Sequence, residues 1–440
     1  MRDYKLGNKI YELRIDKNLT QEDLGLMLNI SDKAISKWEN GTSKPSIENL
    51  QKLSKILDVS LDDLLEFDSE PKSDKKIIKI VLTGGPCAGK TTAMNWILNN
   101  FQKFGYKVLF IPEAATELIT GGIKPWEMNS NVAFQSILLD MQLQKERLFE
   151  EAAKSMPEDK ILIVCDRGIL DNKAYMSKKD FNYVLKNKGL TEIKARDSYD
   201  AVFHLVTAAK GAKEFYNLDN VARTETIEEA TKLDNLLIDS WTGHPHFRII
   251  DNSTNFEEKM RRLIREIACV IGEPEPYEIE RKYLIEMPDI KYLESLTNCE
   301  KVRIVQTYLK SLEGEEIRIR QRGKDGSYTY SKTRKIEVSK MKRIEIETRL
   351  SEEEYINELF NADPSRGQII KDRYCLSYNN QYFEIDIYPF WKEQAIAEIE
   401  LSNEMDKVDF PDFLNVIEEV TDVEDYRNAE IARMIKKATY

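Results

Sequence analysis

The residues of this chain most plainly spaced for chemistry are Gly84-x-x-x-x-Gly89-Lys90-Thr91, inside IIKIVLTGGPCAGKTT (77–92). Ile77, Ile78, Ile80, Val81 and Leu82 read as a buried strand running into the loop. The glycines let backbone N–H groups converge on the β- and γ-phosphates of a nucleotide. Lys90 neutralises phosphate charge, the Thr91 hydroxyl is placed to bind Mg²⁺, and Thr92 completes the nucleotide-binding set. The helix that follows aims its positive end at the anion. With the strand before and the helix after, this is the Walker A form, and ATP with Mg²⁺ is the expected ligand.

Three further residues fit that site. ILIVCDRG (161–168) is an apolar strand ending at Asp166, which suits a magnesium ligand acting through water or a general base. A plain turn-capping role fits it too, and Asp171 is close enough in sequence to assist. VLFIPEAATEL (108–118) delivers Glu113 to the same sheet edge, where a carboxylate suits an acceptor hydroxyl. Ligands of such sheets sit beyond the carboxyl ends of the strands. Arg223, at the start of the helical stretch NVARTETIEEATKLDNLLIDSW (220–241), is typed to stabilise a transferring phosphoryl group, or to pair with Glu225 or Glu228 at the surface.

A second constellation alternates along strands. YEIERKYLI (277–285) puts Glu278, Glu280 and Lys282 on one face, because successive side chains of a strand point to opposite sides. EIRIRQR adds Arg318 and Arg320, TYSKTRK adds Lys332, RIEIETRL adds Glu345 and Glu347, and KDRY adds Arg373. FEIDIY adds Glu384 and Asp386, and AEIEL adds Glu398 and Glu400. The alternation alone fits either a sheet with its charges in water or strands lining a polar cavity.

The elements that carry these residues fall into three pieces. SEPKSDKK (69–76) and GEPEP (272–276) read as linkers. They divide the chain into 1–68, with helical periodicity; 77–271, alternating apolar strands with amphipathic helices; and 277–440, opening on short alternating strands. In the first piece Thr20 and Asp23 form a capping box, and Ser31 and Ser46 cap two further helices. Leu24 and Leu28 sit four apart on the first of these helices, Ile35 and Trp38 lie on the second, and Leu50, Leu53 and Leu57 of the third face inward.

Composition narrows the classes. A net charge of -12 gives no overall basic surface for nucleic acid, so any DNA contact must be local. The first 68 residues carry 10 Lys and Arg against 13 Asp and Glu, a net of -3, which predicts a modest salt-sensitive grip. Five dispersed cysteines without a CxxC pair read as reduced thiols in a cytoplasmic protein. With only His204, His244 and His246 present, neither a histidine-ligated metal centre nor a Ser-His-Asp triad is expected. No apolar run reaches the roughly 18 residues of a membrane span.

Each piece resembles a known family. TQEDLG…NIS…ISKWENG…P…L…L resembles the Cro/C1-type (XRE) helix-turn-helix family, whose second motif helix enters the major groove. That likeness puts Lys33, Ser36 and Lys37 toward DNA, with Gln21 and Asn40 near phosphates, and implies a homodimer. GGPCAGKTT, PEAATEL, CDRGILD and NVARTET resemble P-loop kinases of the nicotinamide-riboside-kinase-like kind. The ordered strand set from Glu278 to Glu400 looks like the CYTH family of triphosphate tunnel metalloenzymes, in which eight antiparallel strands close into a tunnel. It implies that Lys282, Arg318, Arg320, Lys332 and Arg373 bind phosphates. It also implies that Glu278, Glu280, Glu398 and Glu400 hold Mg²⁺ or Mn²⁺, with Asp386 and Glu347 close by. Apolar alternates such as Ile279, Ile319, Ile385 and Ile399 would then face outward, under helices such as 351–361 and 424–437.

The expected architecture is therefore multidomain: an all-α helix-turn-helix, an α/β P-loop domain with a parallel sheet, and an antiparallel β-tunnel with flanking helices. The expected function is ATP-dependent phosphotransfer, with triphosphate binding or hydrolysis in the tunnel and a DNA-binding head. Two rivals are a nucleotide-sensing transcriptional regulator and a polynucleotide 5′-kinase acting on nucleic-acid ends. Expected partners are DNA and small nucleotides or triphosphates, with no membrane.

Overall fold

The computed structural model describes residues 6, 10–11, 13–15, 17, 19–40, 42–57, 59, 75–212, 226–273, 279–311, 315–339, 342–401 and 406–438. The chain divides into two compact units, Met1–Lys76 and Ile77–Tyr440. Among the described residues no helix is long and apolar enough to cross a membrane.

The first unit is helical. Thr20 accepts from the Asp23 amide while the Asp23 carboxylate takes the Thr20 amide, so both end groups of the helix Gln21–Leu28 are satisfied. Asn29 adopts the left-handed conformation that ends it, and Ser31 caps the next helix, Asp32–Glu39. With Ile47–Leu57 these helices enclose Leu24, Leu28, Ile35, Trp38, Leu50, Leu53 and Leu57. Gly41, the glycine of ISKWENG that would stop the second helix, lies outside the described residues.

The second unit holds two sheets. In chain order the first has β1 (Lys76–Gly84), β2 (Lys107–Ile111), β3 (Lys160–Asp166), β4 (Ala201–Leu205) and β5 (Phe247–Ile250). Their spatial order is β2-β3-β1-β4-β5, with the pairs β1/β4, β2/β3 and β4/β5 parallel. Because helices cover both faces, the strands are apolar almost throughout. Ile80, Leu82, Val164 and Phe203 pack under the helices Lys90–Phe101 and Phe256–Ile271. Val81, Ile163 and Val202 pack under Asn131–Ser155 and Ile227–Trp241. β1 starts at Lys76, the last residue of the stretch expected to be a linker.

The second sheet has β6 (Ile279–Glu286), β7 (Cys299–Leu309), β8 (Glu315–Lys324), β9 (Ser327–Ser339), β10 (Lys342–Leu350), β11 (Ile369–Tyr378), β12 (Gln381–Ile387), β13 (Gln394–Leu401) and β14 (Val416–Glu419). The order is β10-β9-β8-β7-β11-β12-β13-β6-β14, all pairs antiparallel. It has one strand more than expected, β14, which pairs along the far side of β6. One face is apolar: Tyr283, Ile285, Phe383, Ile385, Ala397 and Ile399 pack with Leu293 and Leu414, and Ile319 packs under Tyr355 of the helix Glu352–Glu358.

The C-terminal helix departs from expectation. Asn428–Ala438 sets Ile431 and Ala432 against Tyr308, Ile369 and Ile396. These three lie in register with Arg318, Gln306 and Asp386, so the helix covers one end of the charged face and not the apolar outside. Helical periodicity shows that a helix has an apolar stripe, but not which apolar surface the stripe meets.

Candidate functional site: phosphate loop and charged tunnel

The phosphate loop leaves β1 at Gly84 (φ +147) and enters the helix Lys90–Phe101 at Gly89 (φ +92), both values that side chains disfavour. The Gly85 amide donates to Asp234 Oδ1 at 3.1 Å, which anchors the loop to the helix Ile227–Trp241. Lys90, Glu113 and Asp166 come together at the ends of β1, β2 and β3, as the parallel sheet requires. Burial, and Arg167 beside it, push the Lys90 ammonium below its ordinary range, against the pull of Asp166 and Glu113. Burial raises Asp166, and Glu113 and Asp171 add to it while Lys90 opposes. Asp166 Oδ1 is buried with no hydrogen-bond partner among the described residues. An orphaned carboxylate oxygen beside the loop fits a hydrated Mg²⁺, which Asp166 and the exposed Thr91 would hold; Thr92 is exposed next to it.

Glu113 is bound by Arg167 Nε at 2.6 Å and by the Thr116 hydroxyl at 2.7 Å. Burial raises Glu113, but Arg167 and Lys90 outweigh it and hold the carboxyl below its usual range. Arg167, in a left-handed conformation (φ 67), was not singled out from the sequence. Its place directly after Asp166 was the available signal. Asp171 is fully engaged, accepting from Thr83, from the Gly168 amide at 2.7 Å and from Trp241 Nε1 at 3.3 Å, so it builds the scaffold. Arg223 lies outside the described residues.

In the second sheet, register decides which residues share a face. Glu280 stands opposite Glu400, Lys282 opposite Glu398, Glu398 opposite Glu384, and Arg373 opposite Asp386. On the other side Arg320 lies between Gln306 and Ser331, and Arg318 between Tyr308 and Thr333. The strands β6 to β13 all contribute to a cavity of about 290 Å³, whose lining includes Lys282, Arg318, Arg320, Lys335, Glu347, Arg373 and Glu398. Of the charges in the alternation, Glu280, Lys282, Arg318, Arg320, Glu347, Arg373, Glu384, Glu398 and Glu400 therefore face this cavity. Burial, then Arg318 alongside, push the Arg320 guanidinium below its ordinary range, and its Nε has no partner among the described residues. The same cavity is lined by Glu280, Glu316, Glu347, Glu384, Glu398 and Glu400, so these cations stand among carboxylates.

Lys332 is a correction. It pairs in register with Ile319 on the apolar face, and its ammonium reaches Glu358 on the outer helix at 2.5 Å. Lys335, three residues on, lies opposite Glu316 and lines the cavity. A displacement by an odd number of residues moves a strand position to the other face.

Of the expected metal set, Glu280, Glu398 and Glu400 line one cavity. Among the described residues no three acids, histidines or cysteines are grouped to hold a metal ion. Glu398 lies between Lys282 Nζ (2.5 Å) and Arg373 Nη2 (2.8 Å). Asp386, fully buried, is held by Lys371 and by Arg373 Nε at 2.7 Å. Glu400 is paired with Arg248, and Glu347 is 3.9 Å from His246 Nε2. Glu278 lies outside the described residues, as does the Glu345 side chain. The carboxylates as arranged suit bases better than a shared metal.

Sequence reading missed the residues that join the two sheets' domains. Arg322, the third arginine of the β8 row, donates to Asp197 Oδ2 at 3.1 Å and to the Gly243 carbonyl. Thr329 shares Asp197 (3.1 Å), Arg349 donates to the Ser198 carbonyl (2.8 Å), Thr242 bonds Ser377 (2.7 Å), and the Tyr382 hydroxyl donates to the His244 carbonyl (3.0 Å). With Arg248 on Glu400, the P-loop domain thus contacts every strand from β8 to β13 at one end of the tunnel. No local motif marks such contacts.

On the first unit's helix Asp32–Glu39, Lys33 and Lys37 are exposed on one face with Ser36, and Asn40 donates to the Ser36 hydroxyl at 3.3 Å. Gln21 turns inward, donating at 2.7 Å to Glu39, which also forms a buried pair with Arg14 at 2.6 Å.

A helix-turn-helix family profile matches residues 10–64, and an AAA-domain profile matches residues 79–259. The HTH-type transcriptional activator BcrR of Enterococcus faecalis is 46% identical over 61 residues, 14% of this chain and 30% of its own length. Control protein C.BamHI of Bacillus amyloliquefaciens is 35% identical over 71 residues, 16% of this chain and 88% of its own length. Among solved structures, the inorganic triphosphatase NE1496 is 25% identical, covering 36% of this chain and 95% of that one with a TM-score of 0.25. The match thus spans less than a third of BcrR but most of C.BamHI. By its N-terminal domain the chain belongs to the helix-turn-helix family, here joined to an AAA-type P-loop nucleotide-binding domain and an antiparallel-sheet domain.

Proposed function

We propose that this protein is an ATP-dependent phosphotransfer enzyme whose tunnel binds a triphosphate or related polyphosphate, carried on a DNA-binding, dimer-forming head. The supporting observation is the cation crowd of the tunnel: Arg318, Arg320, Lys335, Lys282 and Arg373 face one cavity, and Arg320 is pushed below its ordinary range by burial and by its neighbour. At the phosphate loop, Lys90 would hold the phosphates. Glu113 would accept a hydrogen bond from the acceptor hydroxyl, with Arg167 keeping the carboxylate ionised. Mg²⁺ on Thr91 and Asp166 would supply charge neutralisation on the nucleotide. No step in the tunnel is assigned to a metal.

The test is turnover and binding of ATP and of tripolyphosphate, with products separated by chromatography. Lys90→Ala should lower ATP turnover roughly 10²–10³-fold and leave tripolyphosphate binding intact. Arg320→Ala should do the reverse. A wild-type protein that neither binds nor cleaves tripolyphosphate overturns the tunnel assignment.

A second reading, a nucleotide-sensing regulator, is favoured by one observation: relatives of the head are named as a transcriptional activator and a control protein. It requires DNA affinity to differ between ligand states. Identical operator affinity with and without ATP or tripolyphosphate would end it. Label transfer from ATP to a 5′-hydroxyl oligonucleotide would instead identify the acceptor as a polynucleotide end.

A further inference from the structure

The tunnel's lining is not drawn from its own strands alone. Pro245 and His246, from the P-loop domain, line the same cavity as Arg318, Arg320 and Arg373. Arg248 lines an adjoining cavity of about 350 Å³ that shares Glu280, Glu384, Glu398 and Glu400 with the first. Glu280 and Glu400 stand directly opposite each other, and like charges so placed destabilise a sheet unless a cation intervenes. In this structure the cation on Glu400 is Arg248.

We propose that Arg248 and His246, residues of the P-loop domain, are ligand-contacting residues of the tunnel, so that polyphosphate bound there touches the domain that carries the phosphate loop. This rests on the polyphosphate reading given above. The Arg248 guanidinium holds Glu266 through Nε at 3.2 Å and Glu400 through Nη2, and Nη1 reaches the Phe247 carbonyl at only 3.4 Å. Five N–H donors in a planar fork let it keep those carboxylates and still meet a phosphate oxygen. His246 has its Nε2 turned toward Glu347 of β10, and its backbone amide is fixed by His244 Nδ1 at 3.0 Å. A phosphate chain lying on Arg320 and Arg373 would share its cavity with His246, and one reaching past the shared carboxylates into the adjoining cavity would meet Arg248.

The same stretch reaches the other phosphate site. Asp234, which holds the Gly85 amide, lies on the helix Ile227–Trp241, and the chain runs from that helix straight to His246 and Arg248. One continuous segment, residues 234–248, so touches both sites.

The experiment is calorimetric titration of the full chain with tripolyphosphate, comparing wild type, Arg248→Ala, Arg248→Lys, His246→Gln and Arg318→Ala. Arg248→Ala should weaken Kd roughly ten- to hundredfold, the range for a lost hydrogen bond to a charged group. Arg248→Lys should recover part of that loss, which a purely structural fault would not predict. His246→Gln should weaken binding severalfold, and it carries the test if Arg248→Ala does not fold. Wild-type affinity in both Arg248→Ala and His246→Gln, with binding lost in Arg318→Ala, overturns this inference and leaves the tunnel reading standing. No binding by wild type overturns both.

Discussion

In the phosphate loop the groups that face a ligand come from one unbroken run, Gly84 to Thr92, whereas in the tunnel Lys282, Arg318, Arg320, Lys335 and Arg373 come from four separate strands. The loop works through backbone amides and a helix end, which any glycine-rich strand-to-helix turn of this length can present. The tunnel works through side chains whose direction depends on strand register. Among the described residues Asp166 Oδ1 has no hydrogen-bond partner, whereas the tunnel's acids are mostly matched with bases. On the function proposed above, the first site would take a ligand with its cation, and the second an anion among cations that already have internal counterions.

That contrast can be broken most forcefully at Arg373. It binds Glu384, Asp386 and Glu398 together, so Arg373→Ala leaves buried carboxylates unmatched and should destabilise the second unit by about 3–5 kcal/mol in urea unfolding. A loss below about 1 kcal/mol would mean that the acids are solvated and the tunnel is wetter than its burial indicates. Next in size, Lys335→Ala should weaken tripolyphosphate binding roughly tenfold, while Lys332→Ala should leave it unchanged. The opposite result would return Lys332 to the tunnel and the β9 register with it.

A third prediction concerns the seam between the sites. His244 is fully buried; Nδ1 accepts from the His246 amide at 3.0 Å and Nε2 donates to the Tyr199 carbonyl at 3.0 Å, a pattern that requires the neutral ring. Burial drives its pKa well below 6.5, with Asp197 opposing and His246 and Arg196 assisting. Below pH 6.5 the unfolded chain therefore takes up a proton that the folded chain refuses, and stability falls as pH falls. Between pH 7.5 and 5.5 wild type should lose about 1.4 kcal/mol more than His244→Gln, whose amide can replace both hydrogen bonds. Parallel pH curves would show that the imidazole is protonated in the fold. The smallest effect lies in the head, where removing Lys33 or Lys37 should lower the slope of log affinity against log salt by about one for duplex DNA, and Gln21→Ala should not change it.

Legibility followed the same division. The loop, its flanking strand and helix, and the convergence of Glu113 and Asp166 could be read because each motif is local and a parallel sheet brings strand ends together. The inward turn of the tunnel charges was left open by alternation alone and proposed through family resemblance; the register of β6 with β13 then displayed it. Lys332 was misplaced because a lone lysine in TYSKTRK has a near neighbour, Lys335, on the other face. Arg248, His246 and Arg322 escaped notice because nothing near them in sequence names their partners.

By itself the amino-acid sequence determined the helix caps of the head, the phosphate loop and the two-residue alternation of charge. Each of these arises from interactions within a few residues: a cap hydrogen bond, a glycine's freedom, the pleat of a strand. Only the tertiary structure decided which lysine enters the tunnel, that the C-terminal helix covers one end of it, and that the P-loop domain covers the other with Arg248 on Glu400. Those outcomes depend on register and on surfaces far apart in the chain, where one residue of slip or one change of packing partner reverses the result.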